Sequence, residues 1–281
     1  MILKLIRIES PTGYLLCFFP ACYGLLLESH ALEELKILPL FFIGSIVVRS
    51  AGCIVNDIFD RKYDIHVHRT KERPLATKQI SVKLALTILA ILSIAGAAIM
   101  LCLSELAIYL CMIAVTMTGL YPLMKRITYF PQIFLGFTFN MGVLIAYATV
   151  KNSISIESSM IYVGCCFWTI GFDTIYGFAD IEDDERIGVR SLSILLKNRK
   201  YKYYIGLCYI IFITLFYIAN YRTNYMVANN TSFNLCVFAS TILLLYQVIT
   251  LDIRNPIKSI ANFKISNYVG AFLFASAIIV K

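Results

Sequence analysis

Apolar runs long enough to cross a bilayer dominate this sequence and limit what it can fold into. Nine such runs are separated by polar segments, and each approaches the roughly 20 residues that a membrane-spanning helix needs. They cover residues 11–28, 35–56, 82–103, 105–122, 129–150, 159–179, 202–220, 232–251 and 262–280. Charged residues make up only 15% of the chain, whereas soluble proteins carry about a quarter. The sequence therefore predicts an all-α, multi-pass integral membrane protein with about nine transmembrane helices in one bundle.

The polar segments leave no room for a soluble domain. The two longest cover residues 57–81 and 180–201, so the whole chain, 1–281, is predicted to form one membrane-embedded domain. The nine cysteines include no pair with metal-ligand spacing, and we interpret them as small buried side chains in a reducing environment. In a soluble protein the net charge of +8 would suggest a nucleic-acid partner. In a membrane protein it reports topology instead, and no nucleic-acid partner is expected.

The distribution of Lys and Arg predicts the orientation of the chain. If the N-terminus lies inside, nine spans place 20 of the 25 cations in inward segments. Arg49 lies within a span, and the outward segments hold only Lys36, Lys151, Arg222 and Lys281. Cytoplasmic segments of membrane proteins carry such an excess of Lys and Arg. The N-terminus and both long polar segments are thus expected in the cytoplasm, in a bacterial-type inner membrane or a mitochondrial inner membrane.

Two acidic segments stand at the inward ends of apolar runs. The first, NDIFDRKYDIHVHRTKERP, begins at Asn56 and places Asn56, Asp60 and Asp64 four residues apart. The second, DTIYGFADIEDDERIGVRS, places Asp173, Asp180 and Asp184 seven and four residues apart. If each run continued as a helix, each set would share one face. The two segments would then present carboxylates at the same membrane depth.

Opposed carboxylates repel each other, and oxygen ligands favour a hard cation such as Mg²⁺ between them. Nearby cations could hold a phosphate group: Arg69, Lys71, Arg73, Lys125, Arg126 and Arg190. This combination predicts a site for a lipid diphosphate. When the diphosphate leaves an allylic carbon of the lipid, it leaves behind a carbocation that aromatic rings can stabilise. The alternative is a pair of solvated loops. However, Arg49 and Asp173 lie within apolar runs, where an unpaired charge costs about 2.5–3.5 kcal/mol or more.

Three stretches resemble signatures of the UbiA superfamily of intramembrane prenyltransferases. RSAGCIVNDIFDRKYDIHVHRTKERPLA resembles the first signature, DTIYGFADIEDDERIGVRS the second, and YPLMKR (Tyr121–Arg126) a shorter element between them. The motifs RSAGCIVND, RTKERPL and DTIY together most resemble those of the branch that prenylates 4-hydroxybenzoate in ubiquinone synthesis. The chain departs from the usual pattern after Arg190, where it reads SLSILLKN.

The resemblance implies a Mg²⁺-dependent enzyme whose active site lies at the cytoplasmic side of the bundle. Its substrates would be a polyprenyl diphosphate and 4-hydroxybenzoate, and its surroundings the lipid bilayer. The implied catalytic residues are Asn56, Asp60, Asp180 and Asp184. The implied metal-site acids are Asp57, Asp60, Asp64, Asp180 and Asp184. The implied substrate-binding residues are Arg49, Asn56, Arg69, Arg73, Tyr121, Lys125, Arg126 and Asp173.

Two alternatives to this function stay open at the level of the sequence. One is a prenyltransferase of the same fold that acts on protohaem or a naphthoate. The other is a cation or phosphate transporter, since intramembrane acids are also typical of transporters. A transporter would be expected to show repeated halves with broken helices, and the sequence carries only two acidic segments about 120 residues apart as a loose internal echo.

Overall fold

A computed structural model describes residues 1–27, 32–223 and 230–279, and within these ranges the chain is helical with no β-strand. In chain order the helices are α1 Ile2–Leu5, α2 Pro11–Leu26, α3 Leu38–Asp60, α4 Val82–Met100, α5 Glu105–Ile127, α6 Pro131–Phe139, α7 Met141–Lys151, α8 Ile156–Gly177, α9 Ile181–Arg186, α10 Leu192–Leu196, α11 Tyr201–Thr223, α12 Thr231–Thr250 and α13 Pro256–Ile279. Short 3₁₀ turns precede α3 at Leu32–Ile37 and follow it at Asp64–His66.

Each predicted apolar run is occupied by one long helix or, for residues 129–150, by the pair α6 and α7. Within the described part of the chain, six segments are long and apolar enough to cross a membrane: Leu35–Asp60, Val82–Met100, Glu105–Ile127, Pro131–Lys151, Tyr201–Thr223 and Thr231–Thr250. The prediction of an all-helical membrane protein is confirmed. The number nine stays a prediction, because α2 has only 16 residues and because α8 and α13 carry several polar side chains.

Helix α4 shows what surrounds the bundle. Almost all of it lies on the outside, and Ile91 and Ile94 expose 60% and 71% of their surface. A soluble protein rarely exposes apolar surface on this scale. These side chains therefore face lipid, and α4 is held to the rest of the bundle mainly by α3.

The predicted fifth span is broken near its middle, which the apolar pattern did not indicate. Helix α6 ends at Phe139 and α7 starts at Met141, with the buried Asn140 between them. The Asn140 amide donates to the carbonyl of Gly136 at 2.7 Å and to the Thr169 hydroxyl of α8 at 2.8 Å. An interruption of a helix within the membrane requires such partners, because no water is present to satisfy the freed backbone groups.

The core of the bundle is built around α8. Trp168 is fully buried and stacks on Phe212 of α11 with the ring centroids 5.0 Å apart. Helix α2 crosses α7 at Gly24, where a Cβ atom would lie only 2.0 Å from the carbonyl oxygen of Val143. The close crossing thus depends on a glycine at this position.

Two contacts join polar segments that the charge pattern predicts to lie on the same side. The backbone of Arg190 donates to the carbonyl of Lys125 at 3.0 Å, which joins two segments predicted to face inward. On the side predicted to face outward, Arg222 pairs with Glu157 at 2.8 Å. Of the four cations predicted to face outward, Lys281 lies outside the described residues.

Candidate active site

The first acidic segment straddles the end of α3. The helix stops at Asp60, so Asn56 and Asp60 lie one turn apart on one face, as predicted. Asp64 instead belongs to a 3₁₀ turn that follows the helix. The expectation of three side chains on one continuous helix face is therefore wrong for Asp64, because α3 ends at Asp60 and Asp64 begins a separate turn.

The second acidic segment is also interrupted. Helix α8 ends at Gly177, and Asp180 is the residue that precedes α9, which carries Asp184. Asp173 therefore does not share a helix with the other two acids, contrary to the sequence expectation. A Cβ atom at residue 177 would lie 2.3 Å from the Ser193 hydroxyl oxygen. That hydroxyl donates to the carbonyl of Thr174 at 3.0 Å and ties the returning chain to the end of α8.

The two acidic segments meet despite the 111 residues that separate Arg69 from Asp180. The Arg69 guanidinium binds Asp180 in a bidentate manner, with its Nε 2.8 and 3.0 Å from the two carboxylate oxygens. The backbone N–H of His68 donates to Asp183 at 2.8 Å. We call residues 61–80, which join α3 to α4, the covering loop, because these contacts lay it across the second acidic segment.

The short element at the end of α5 supplies cations to the same place. The ammonium nitrogen of Lys125 lies 3.7 Å from Asp60, and a guanidinium nitrogen of Arg126 lies 3.9 Å from it. Both separations exceed a hydrogen bond, so these are loose ion pairs. Arg126 also donates to the carbonyl of Phe59 at 3.0 Å and lies over the ring of Tyr63. It is therefore held at the rim of the site.

Two acids of the first segment are occupied by arginines. Asp57 is almost fully buried and pairs with Arg7 and with Arg73, the latter at 3.1 Å. The same Arg73 nitrogen lies 2.9 Å from both oxygens of Asp64. Two carboxylates and two guanidiniums thus form one neutral network beside the site.

Asp184 differs from these paired acids, since it forms no ion pair within 4 Å among the described residues. The pKa of Asp184 is raised to about 6, chiefly by burial and also by the neighbouring Asp180 and Asp183, against the opposing effect of Lys125 and Arg69. Burial likewise raises the pKa of Asp64, against the effect of Arg73. A half-buried carboxylate without a partner is a group that a bound cation would stabilise.

A third set of polar side chains lies deeper, one helical turn inside the bundle. Asp173 of α8 is under the electrostatic influence of Lys125, Arg49 and Arg69. Tyr121 of α5 is influenced by Lys125, Asp173 and Arg49. The Arg49 guanidinium lies 6.0 Å from the centroid of the Phe139 ring. The structure therefore brings the two charges found within apolar runs close enough to interact.

The arrangement has acids on two sides and cations between them, and it opens towards the ends of α3 and α8. Among the described residues, no group of three or more His, Cys, Asp or Glu side chains is arranged to hold a metal ion by itself. The site can therefore bind a metal only with a few protein ligands, together with water or a ligand that brings its own oxygen atoms.

Comparison with known proteins identifies the family. Residues 17–274 match the model of the UbiA prenyltransferase family. The chain belongs to this family. The predicted resemblance is thereby confirmed over nearly the whole chain.

Curated relatives of this UbiA-family chain extend over nearly its full length. A protein of Shewanella oneidensis named 4-hydroxybenzoate octaprenyltransferase is 35% identical over 273 residues, which are 97% of this chain and 94% of the relative. A protein of Blochmanniella pennsylvanica with the same name is 33% identical over 271 residues, 96% of this chain and 92% of the relative.

Solved structures of UbiA homologues share the fold. A homologue from Aeropyrum pernix K1, solved in its apo form, superposes with a TM-score of 0.79 at 23% identity and covers 97% of this chain and 98% of its own. A homologue from Archaeoglobus fulgidus, solved with GPP and Mg²⁺ bound, gives a TM-score of 0.71 at 15% identity and covers 99% and 98%.

Two residues of this UbiA-family site are not evident from the sequence. By sequence Arg7 is only one of the cations predicted to face inward, but in the structure it pairs with Asp57. Asp183, which binds the covering loop, was not distinguished from its acidic neighbours. No periodicity links a cation to an acid 50 residues away, so only the fold reveals the first pairing. Arg190, which could hold a phosphate group, lies over the ring of Tyr129.

Proposed function

We propose that this enzyme transfers a polyprenyl group from polyprenyl diphosphate to 4-hydroxybenzoate, at the ring carbon ortho to the hydroxyl. This reaction is a step of ubiquinone synthesis. The observation that carries the proposal is the meeting of the two acidic segments around Lys125 and Arg69, in a chain whose near-full-length relatives are named for this reaction. We also propose that residues 1–281 form one membrane-embedded domain.

We propose that four residues hold Mg²⁺ and the diphosphate: Asn56 and Asp60 on one side, and Asp180 and Asp184 on the other. The donor set fits this ion, because Mg²⁺ commonly takes one or two carboxylates and completes its shell with water and substrate phosphate. When bound, Mg²⁺ would neutralise the diphosphate and make it a better leaving group. The neutral network around Asp57 and Asp64 makes those two acids the less accessible members of the proposed metal set.

The cations at the site would hold the diphosphate oxygens directly. Lys125 and Arg69 lie next to the acids that we propose as metal ligands, and each would gain a phosphate partner when substrate binds. Tyr121 lies within the electrostatic reach of Lys125 and would contact the same group. Arg73 would hold the covering loop in place through its ion pairs with Asp57 and Asp64. Fixed positive charge around the departing diphosphate would lower the barrier to ionisation at the allylic carbon.

The region between Arg49 and Asp173 is the proposed place of the acceptor. Arg49 can bind a planar carboxylate through two nitrogens, and Phe139 lies beneath it. With the carboxylate held there, the ring carbon ortho to the phenol would face the allylic cation, so that positioning does most of the work. Asp173 interacts electrostatically with Arg49 and Lys125 and would support these cations. Arg126 is a second candidate for the carboxylate, at the rim.

For the orientation, we propose that the N-terminus and both acidic segments face the cytoplasm, in a bacterial-type inner membrane or a mitochondrial inner membrane. The excess of Lys and Arg at this end of the bundle supports the proposal. A polyprenyl diphosphate would then place its head in the site and its tail among the helices or in the bilayer.

The test is to incubate the purified protein with Mg²⁺, a polyprenyl diphosphate and either 4-hydroxybenzoate, a naphthoate or protohaem, and to identify the product by mass. Prenylated 4-hydroxybenzoate is expected. Product from protohaem or the naphthoate alone would move the chain to another branch of the family, and no prenylated product would favour a transporter.

The site assignment has its own test in charge-neutralising variants. Asp60→Asn and Asp184→Asn should nearly abolish product formation while the protein still inserts and purifies. Glu72→Gln and Glu182→Gln remove one exposed carboxylate each from the same two segments and serve as matched controls. Full activity in both Asn variants would refute the assignment.

A further inference from the structure

The N-terminal residues ahead of the first long helix are part of the site architecture. We call residues 1–10 the strap. Its Leu5 is fully buried in a cluster with Ile54 of α3 and Leu75 of the covering loop. The Ser50 hydroxyl donates to the carbonyl of Ile6 at 3.2 Å. Arg7 has a φ of +54°, a left-handed backbone conformation that residues other than glycine rarely adopt. Such a conformation persists only where the surrounding contacts fix it.

The fixed strap directs Arg7 to Asp57. Asp57 is 1% exposed and lies between two guanidiniums, those of Arg7 and Arg73. Arg73 also binds both oxygens of Asp64. The four charges balance, so the network has no surplus charge with which to attract a ligand. Its position suits it to fix one part of the chain relative to another.

The part that it fixes is the covering loop. Arg73 and Asp64 belong to that loop, whereas Asp57 belongs to α3 and Arg7 to the strap. The same loop carries Arg69 and His68, which contact Asp180 and Asp183 of the second acidic segment. A displacement of Arg73 would therefore displace Arg69. The contacts form one continuous path from the strap to the second acidic segment.

We propose that Arg7 is a positioning residue for prenyl transfer. Through Asp57 and Arg73 it holds the covering loop across the second acidic segment, and it thereby aligns Arg69 with Asp180 before substrate arrives. The catalytic consequence rests on the proposed function, while the mechanical part concerns only the loop.

The expected signature is a change in binding with little change in chemistry. Without Arg7 the covering loop is ordered in a smaller fraction of molecules, and a ligand that requires the ordered loop binds more weakly by that fraction. Loss of one charge-assisted hydrogen bond corresponds to about a tenfold change. Arg7→Met should thus raise the half-saturating concentrations of Mg²⁺ and polyprenyl diphosphate, by up to about tenfold. The kcat at saturation and the KM for the aromatic should change less than about threefold, since saturating ligand restores the ordered loop.

Two variants sharpen this comparison. Lys4→Met removes the same charge from the same strap, but Lys4 is exposed and its side chain contacts none of the acids of the site. It should behave as wild type. Arg7→Lys should recover most of the lost binding, because a single nitrogen of Arg7 contacts Asp57.

A second measurement needs neither substrate nor metal. Trypsin cleavage within the covering loop, at Lys71 and Lys78, should be faster in Arg7→Met than in wild type, because cleavage follows the population of the open loop. Cleavage in Lys4→Met should match wild type. If Arg7→Met does not purify, Arg7→Gln, which keeps a donor at this position, is judged by the same criteria.

Equal behaviour of Arg7→Met and Lys4→Met in cleavage and in both half-saturating concentrations would overturn the proposal. So would an Arg7→Met enzyme that only melts earlier, with its half-saturating concentrations unchanged. If the wild type forms no prenylated product, the proposed function fails, and the cleavage comparison still decides whether Arg7 fixes the loop.

Discussion

The unpaired carboxylate of Asp184 leads to a quantitative prediction for metal binding. Burial and two neighbouring acids raise its pKa from an ordinary value of 3.8 to about 6, a difference of about 3 kcal/mol in favour of the neutral form. The metal-free protein therefore carries this side chain half protonated near pH 6. A divalent ion binds only the deprotonated form, so protons and metal compete for it.

The size of the effect follows from the same competition. Above pH 7 the carboxylate is ionised and the apparent metal affinity should be constant. Below pH 6 each further unit should weaken binding almost tenfold, so that the apparent Kd rises about tenfold between pH 7 and pH 5. The assay is a titration of the purified, substrate-free enzyme with Mn²⁺ as a paramagnetic stand-in for Mg²⁺, followed at several pH values. Omitting the substrate removes the titration of its diphosphate.

Variants distinguish Asp184 from the other acids of the site. Asp184→Asn should bind Mn²⁺ more weakly at pH 7 and lose most of the dependence between pH 5 and pH 7. Glu182→Gln, an exposed neighbour on the same helix, should keep both the affinity and the slope. An apparent Kd that does not change with pH in the wild type, or a full slope in Asp184→Asn, would refute the reasoning.

Three further outcomes are expected. Gly24→Ala should lower the melting temperature by an amount equivalent to about 1–3 kcal/mol, because the added Cβ atom would meet a backbone oxygen of α7. In thermal size-exclusion measurements the control Gly96→Ala should melt like wild type, because the nearest atom to its added Cβ is 3.7 Å away. Arg49→Leu should raise the KM for 4-hydroxybenzoate at least about tenfold and the KM for the diphosphate far less, and equal effects on both would exclude Arg49 as the carboxylate ligand. Cysteine labelling from each side of the membrane should place segments 57–81 and 180–201 in one compartment, and opposite compartments would rule out a shared site.

The fold was largely predictable because the bilayer restricts it so strongly. Apolar runs of the required length can satisfy their backbone only as helices, and the structure has helices in all of them. The break at Asn140 was not predictable, since an amide between two apolar stretches looks like any polar residue in a span. Its partner, Thr169, is 29 residues away, and only packing identifies it.

The site was predictable in composition and less so in geometry. The spacing of Asn56 and Asp60 does correspond to one helix face. For the second segment, the four- and seven-residue spacing wrongly predicted one helix face, because α8 ends at Gly177 and the returning chain packs its Ser193 against this glycine. Charge pairing was the least accessible property. For any one acid the sequence offers many cations as possible partners. Only the folded structure, in which Asp57 is buried, shows that Asp57 contacts Arg7 and Arg73.

The interrupted span has a consequence for how the proposed acceptor site could be resized. Helix α6 packs mainly against α8, while α7 packs mainly against α2, although both halves also contact α5 and α8. Phe139, the last residue of α6, lies under Arg49, next to the break that the Asn140 amide stabilises. The floor of the proposed acceptor site is thus fixed by contacts separate from those of the proposed diphosphate site. Substitutions around this hinge would alter the size of aromatic that fits while leaving the diphosphate site in place.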